Sequence, residues 1–161
     1  MGKTKYPILF VHGMGFRDRK IFSYWGRIPK RLKSEGYVIY FGEQDANGTI
    51  EQNGKYIAKK IEKILENETD DKVNIIAHSK GGLDARYAIC NCNVSDKVAS
   101  LTTIGTPHHG SKSINILLKF PVCLIKFFCL IADIILKVLG DGKPNTYAVI
   151  KSFSTDYMTE F

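Results

Sequence analysis

The residues best suited to chemistry lie in the run Val73-Asn74-Ile75-Ile76-Ala77-His78-Ser79-Lys80-Gly81-Gly82. A β-branched apolar stretch feeds into a serine flanked by small residues. That is the pattern of a strand, a sharp turn and a helix, with the turn presenting Ser79 as a nucleophile. The backbone of such a turn is strained, and bulky side chains two positions either side of the serine would collide. Ala77 and Gly81 occupy those two positions, so the G-x-S-x-G pattern holds with alanine in the first place. A serine hydroxyl is inert until a base takes its proton. The carbonyl it attacks needs donors for the oxyanion that forms.

Two further segments bear on those needs. Tyr6-Pro7-Ile8-Leu9-Phe10-Val11-His12-Gly13-Met14-Gly15 is an apolar strand followed by a glycine turn. Leu101-Thr102-Thr103-Ile104-Gly105-Thr106-Pro107-His108-His109-Gly110-Ser111 is another strand and turn. One oxyanion donor is expected at the backbone N–H of Lys80, directly after the serine and at a helix start.

The chain resembles the bacterial triacylglycerol lipase family of the α/β-hydrolase superfamily at these three segments, from about Tyr6 to Ser111. The family's H-G-x-G, A-H-S-x-G-G and G-T-P-H-x-G-S motifs occur in that order. Tyr24-Trp25-Gly26-Arg27-Ile28-Pro29 is similar to the aromatic stretch that follows the first motif. The resemblance implies a catalytic Ser79 and an oxyanion hole of Met14 and Lys80, with His12, Gly13 and Gly81 as supporting turn residues. It implies an acyl-enzyme on Ser79 in the cleavage of lipid-like acyl esters. It further implies that this is the N-terminal part of such an enzyme, the later strands with the triad acid and histidine being missing. Any calcium ligands of the family would lie in that missing part, so neither a metal nor another cofactor is expected.

The candidate bases illustrate the gap. The triad order in this fold is serine, acid, histidine. Only His108 and His109 follow Ser79, and the acids between are Asp84 and Asp96, neither at a strand end. His12 and His78 read as turn residues bonded to backbone or turned away from Ser79. The non-enzymatic alternative is an incomplete hydrolase fragment that binds lipid or a protein partner through its apolar segment. Acyl transfer or thioester hydrolysis on the same serine is a third option.

The elements that position these residues alternate. Ile8 to Val11 reads as a buried strand. Ile21, Trp25, Ile28 and Leu32 line one helix face, with Pro29 expected to break it and Gly36 to end it. Tyr37 to Phe41 is a strand and Gly42 to Gly48 a loop. Ile50, Ile57, Ile61 and Ile64 line a helix, capped by Thr49 with Gln52 three residues on. Lys72 to Ala77 is a strand, Lys80 to about Cys90 a helix, and Val98 to Ile104 a strand. Alternation of this kind predicts the α/β class: a parallel sheet with helices on both faces, truncated after the apolar region. Ligands of such sheets bind at the carboxyl ends of the strands. One partial domain spans 1–161, with 112–140 as apolar lid or cap helices.

Ile114 to Leu139 is strongly apolar, with charges only at Lys119, Lys126, Asp133 and Lys137. On a helix wheel these fall within about 40° of one another, a thin polar stripe. Pro121 divides the segment. A transmembrane span, a buried core helix and a surface lid that meets lipid are the competing readings. The longest charge-free run of six residues favours the lid over the span.

Lys plus Arg number 23 against 16 Asp plus Glu, a formal charge of +7. The basic residues are dispersed and do not alternate with aromatics, which argues against nucleic acid and for an anionic lipid surface. The four cysteines, Cys90, Cys92, Cys123 and Cys129, form no C-x-x-C. No apolar run precedes the first strand. A cytoplasmic, membrane-associated setting is expected. An open edge at Val98 to Ile104 is expected to favour self-association.

Overall fold

The computed structural model describes residues 4–15, 17 and 24–161. Four strands, β1 (Ile8–Val11), β2 (Ile39–Phe41), β3 (Val73–His78) and β4 (Val98–Ile104), form one sheet in the order β2-β1-β3-β4. Every pairing is parallel. Each crossover carries a helix: α1 (Ile28–Ser34), α2 (Ile50–Leu65) and α3 (Lys80–Asn91). The register sets Ile8 opposite Asn74 and Val11 opposite Ala77. The carboxyl ends of β1 and β3 are therefore level, and His12-Gly13 and Ser79 leave the sheet at one edge.

Alternate residues of β1 enter two separate apolar clusters. Leu9 and Val11 join Ile57, Ile61, Ile75, Ala85 and Ala88 beneath α2 and α3. Ile8 and Phe10 join Trp25 and Ile39 on the face where Leu32 of α1 packs. β1 is buried on both sides, which is why its sequence does not alternate. The expected helix-cap pair is present: the Thr49 hydroxyl accepts from the Gln52 N–H, and the Gln52 side chain accepts from the Thr49 N–H.

Pro29 does not break a helix. α1 begins at Ile28, so Pro29 stands in its first turn, where a missing N–H removes no intrahelical bond. Trp25 lies in the preceding turn and is buried, whereas Ile28 is 56% exposed and not part of an inner face. Ile21, the first residue of the expected pattern, lies outside the described residues. β2 starts two residues later than expected, at Ile39, and β3 runs one further, to His78.

The apolar segment is two helices, α4 (Lys112–Leu117) and α5 (Val122–Val138), divided at Pro121. α5 has only Ile125 and Cys129 buried, so the core-helix reading fails. Among the described residues no helix is long and apolar enough to cross a membrane. Of the polar stripe, Lys119, Lys126 and Lys137 are exposed and Asp133 is half-buried. Asp133 accepts from the N–H of Thr146 at 2.8 Å and from its hydroxyl at 2.6 Å. Lys126 stands over the Tyr147 ring, 5.2 Å from its centroid. The outward face carries Leu124, Phe127, Phe128, Leu130, Ile131 and Ile134, all exposed. Cys123 is likewise exposed.

Two short helices with no counterpart in the sequence reading close the chain, α6 (Thr146–Ser152) and α7 (Thr155–Glu160). Met158 joins Ile50 and Leu83 in a third cluster, with Tyr87, Phe153 and Phe161 around it. The Ser111 N–H donates to the Phe153 carbonyl at 2.8 Å, tying the turn after β4 to α6.

Candidate active site

Ser79 stands between β3 and α3 with φ 51° and ψ −128°. A serine at positive φ is strained by about 1–3 kcal/mol, and surrounding structure has to hold it there. Three hydrogen bonds do so. Its N–H donates to the Ile104 carbonyl at 2.8 Å, and its carbonyl accepts from the Thr106 hydroxyl at 2.8 Å and the Gly82 N–H at 3.1 Å. Thr106 belongs to the turn after β4. The sequence marked that turn only as a motif, and its part in holding the elbow was missed.

The glycines are where backbones approach closely. A Cβ on Gly81 would collide with the His12 carbonyl and lie 2.6 Å from that of Val11. One on Gly82 would overlap the Thr106 side chain. One on Gly13 would lie 2.6 Å from the Tyr24 hydroxyl, 3.0 Å from Ser79 Cβ and 3.2 Å from the His78 carbonyl. The loop after β1 thus presses directly on the serine turn, and Met14 follows within that loop, half-buried. Lys80 is the first residue of α3, among the amides that an α-helix leaves without intrahelical partners.

No described histidine hydrogen-bonds Ser79 Oγ. His12 is buried, with Nδ1 2.9 Å from the Gly13 carbonyl and Nε2 3.0 Å from that of Gln44. Burial holds its pKa below the usual histidine value. Gln44 returns a bond from Nε2 to the His12 carbonyl at 2.9 Å. His78 is hydrogen-bonded through Nδ1 to the Tyr24 hydroxyl. His108 turns back onto β4, its Nε2 3.1 Å from the Thr103 hydroxyl. Partial burial, then the charge of Arg86, lowers its pKa. His109 is exposed.

The acids after Ser79 are also accounted for. Asp96 sits in the short 3-10 turn Ser95–Lys97 before β4. Asp84 is buried within α3 and faces Lys80, whose Nζ lies 2.7 and 2.8 Å from its two oxygens. Both side chains are 1% exposed. Asn53 of α2 donates to the same carboxylate at 3.0 Å. Burial pushes the Asp84 carboxyl up to about 6, against the pull of the Lys80 ammonium and these hydrogen bonds. The Lys80 side chain is therefore a structural ion pair beneath the turn, while its backbone N–H remains at the helix start. The i,i+4 spacing of Lys80 and Asp84 was the available signal for this pair.

The model of the palmitoyl protein thioesterase family matches residues 7–158. A triacylglycerol lipase of Pseudarthrobacter phenanthrenivorans is 36% identical over 115 residues, covering 68% of this chain and 35% of that protein. One from Burkholderia plantarii is 36% identical over 115 residues, 68% of this chain and 31% of that protein. The chain thus spans about a third of the length of these curated relatives. The mature lipase BlEst2 of Bacillus licheniformis superposes with a TM-score of 0.73 at 26% identity, over 98% of this chain and 58% of that one. With its parallel sheet, its serine turn and a family match along nearly its whole length, the chain belongs to the palmitoyl protein thioesterase family and has the α/β-hydrolase fold of the lipases it resembles.

Proposed function

We propose that this chain is the nucleophile-bearing part of a serine ester hydrolase of the lipase and esterase type, acting on lipid-like acyl esters. The observation that carries the reading is Ser79 held at φ 51° with the Gly13 loop against its Cβ. In this reading Ser79 Oγ attacks the acyl carbonyl. The backbone N–H groups of Met14 and Lys80 stabilise the oxyanion, a contribution worth about 10²–10³ in rate for each donor. The tetrahedral intermediate collapses, the alcohol leaves, and water releases the acid from the acyl-enzyme. The described histidines are engaged elsewhere or exposed. The reading therefore requires a further histidine and carboxylate to complete the triad, as the chain order of this fold provides.

Support for a lipid-class substrate comes from α5, whose outward face is apolar and which carries Lys126 and Lys137, with Lys119 shortly before it. Such a helix suits a lid that meets an anionic lipid surface. The four free cysteines accord with a cytoplasmic setting. β4 pairs only with β3 among the described strands, and its open edge is a site for further strands or for a second copy.

The test is turnover of p-nitrophenyl esters of increasing acyl length by the native protein and by Ser79→Ala. The reading expects activity rising toward long chains and lost in the variant. A protein that binds vesicles equally well with and without Ser79, and turns over no ester, supports the second reading, a lipid-binding or partner-binding hydrolase fragment favoured by the exposed face of α5. A preference for acyl thioesters over oxyesters would assign the same serine to thioester hydrolysis.

A further inference from the structure

We propose that Asn47 is a positioning residue that couples the loop after β1 to α5 through a directional chain of hydrogen bonds. The inference rests on the reading of Met14 as an oxyanion donor. Gly15 follows Met14 directly, and its N–H donates to Asn47 Oδ1 at 3.1 Å. Asn47 Nδ2 donates to the Thr146 hydroxyl at 2.6 Å. The Thr146 hydroxyl donates in turn to Asp133 Oδ1 on α5, also at 2.6 Å. Every donor points the same way, from the loop amide to a carboxylate. Successive bonds in such a chain polarise and strengthen one another.

The residue types fit this task closely. The chain needs one side chain that accepts at one end and donates at the other, which an amide does and a carboxylate does not. It then needs a hydroxyl that accepts once and donates once, and finally an anion. Asn47 is 2% exposed. Its backbone is fixed as well: the N–H donates to Asp141 Oδ2 at 3.1 Å, and the carbonyl accepts from the Asn145 N–H at 2.7 Å. A buried amide with both backbone and both side-chain groups engaged has little freedom to rotate. The position of α5 is thereby transmitted to the Gly15 amide. A shift of Asp133 slackens the loop that carries Met14, and a fixed Asp133 holds it taut.

The test is amide hydrogen exchange at Gly15, read by NMR, with the core amides of Ile57 and Ile75 as controls. Asn47→Ala is expected to speed Gly15 exchange about tenfold, the scale of one lost hydrogen bond. Thr146→Val, two bonds away, is expected to speed it several-fold, while Thr146→Ser restores the wild-type rate because the hydroxyl is kept. The core amides stay unchanged throughout. Gly15 exchange unaffected by Thr146→Val, or raised equally by Thr146→Ser, overturns the proposal. So does a rise that appears only together with Ile57 and Ile75. If Asn47→Ala does not fold, the Thr146 pair decides alone. The readout needs no turnover, so an inert Ser79 leaves this result standing and a reactive one does not supply it.

Discussion

Helices α2 and α5 are both long and carry wide apolar faces, yet only α2 has its apolar face covered. α2 buries Ile50, Ile57, Ile61 and Ile64 against the sheet and α3, and turns its lysines and glutamates to solvent. α5 turns Asp133 toward α6, sets Lys126 over Tyr147, and leaves phenylalanines and isoleucines outward. Periodicity fixes that a segment is a helix and which residues share a face. It does not fix which face meets protein. That choice depends on what the neighbour offers. The sheet offers α2 an apolar surface, whereas α6 offers α5 a threonine N–H, a hydroxyl and an aromatic ring. The difference separates a helix whose apolar face is buried in the fold from one whose apolar face is exposed.

The largest effect is expected beneath α2, where Asn53 reaches the Lys80–Asp84 pair. Asp84→Ala leaves a buried ammonium unpaired and should cost about 3–5 kcal/mol in urea unfolding, whereas Lys80→Met with Asp84→Leu should be near neutral or stabilising. The carboxyl also sets a pH dependence. Its folded pKa, about 6, lies above the unfolded value of 3.8. The stability it contributes is therefore present in full below about pH 4 and lost as the pH rises through 6. A thermal melting series should show that decline in the wild type and not in Asp84→Asn. Truncation on the inner face of α2 comes next: Ile57→Ala should cost about 2–5 kcal/mol. Loss of the helix cap in Thr49→Ala should cost about 1 kcal/mol.

The smallest stability effect is expected on α5, and it is the one able to break the comparison. Phe127→Ser and Ile134→Ser should each change stability by less than about 0.5 kcal/mol. Each should nevertheless weaken partition onto anionic vesicles about tenfold or more, since each removes a side chain worth about 1.5–3 kcal/mol when buried in lipid. A loss of stability as large as that of Ile57→Ala would mean that the outer face of α5 packs on protein.

Much of the frame was legible in the residues. The buried run Ile8–Val11, the isoleucine spacing of α2, the Thr49–Gln52 cap and the small residues around Ser79 each carry a local physical signature, and the structure agrees with them. Where a residue's meaning depends on its neighbours, the reading fell short. Pro29 marks a helix start or a helix break according to where the first turn lies, which periodicity alone does not say. Asp133 looked like one charge in a thin polar stripe, and nothing local pointed to Thr146 as its partner. Thr106 and Tyr24 meet the serine turn only through the packing of β4 and of the segment before α1. For His78, nothing local pointed to Tyr24 as its partner.

The central claim is that Ser79 is an activated nucleophile. Labelling the native protein in extracts of its source with a fluorophosphonate probe, followed by peptide mass spectrometry, tests it most directly. The account predicts the phosphonate on Ser79 and its loss in Ser79→Ala. An unmodified Ser79 peptide from folded protein, in an extract whose other serine hydrolases are labelled, would contradict it.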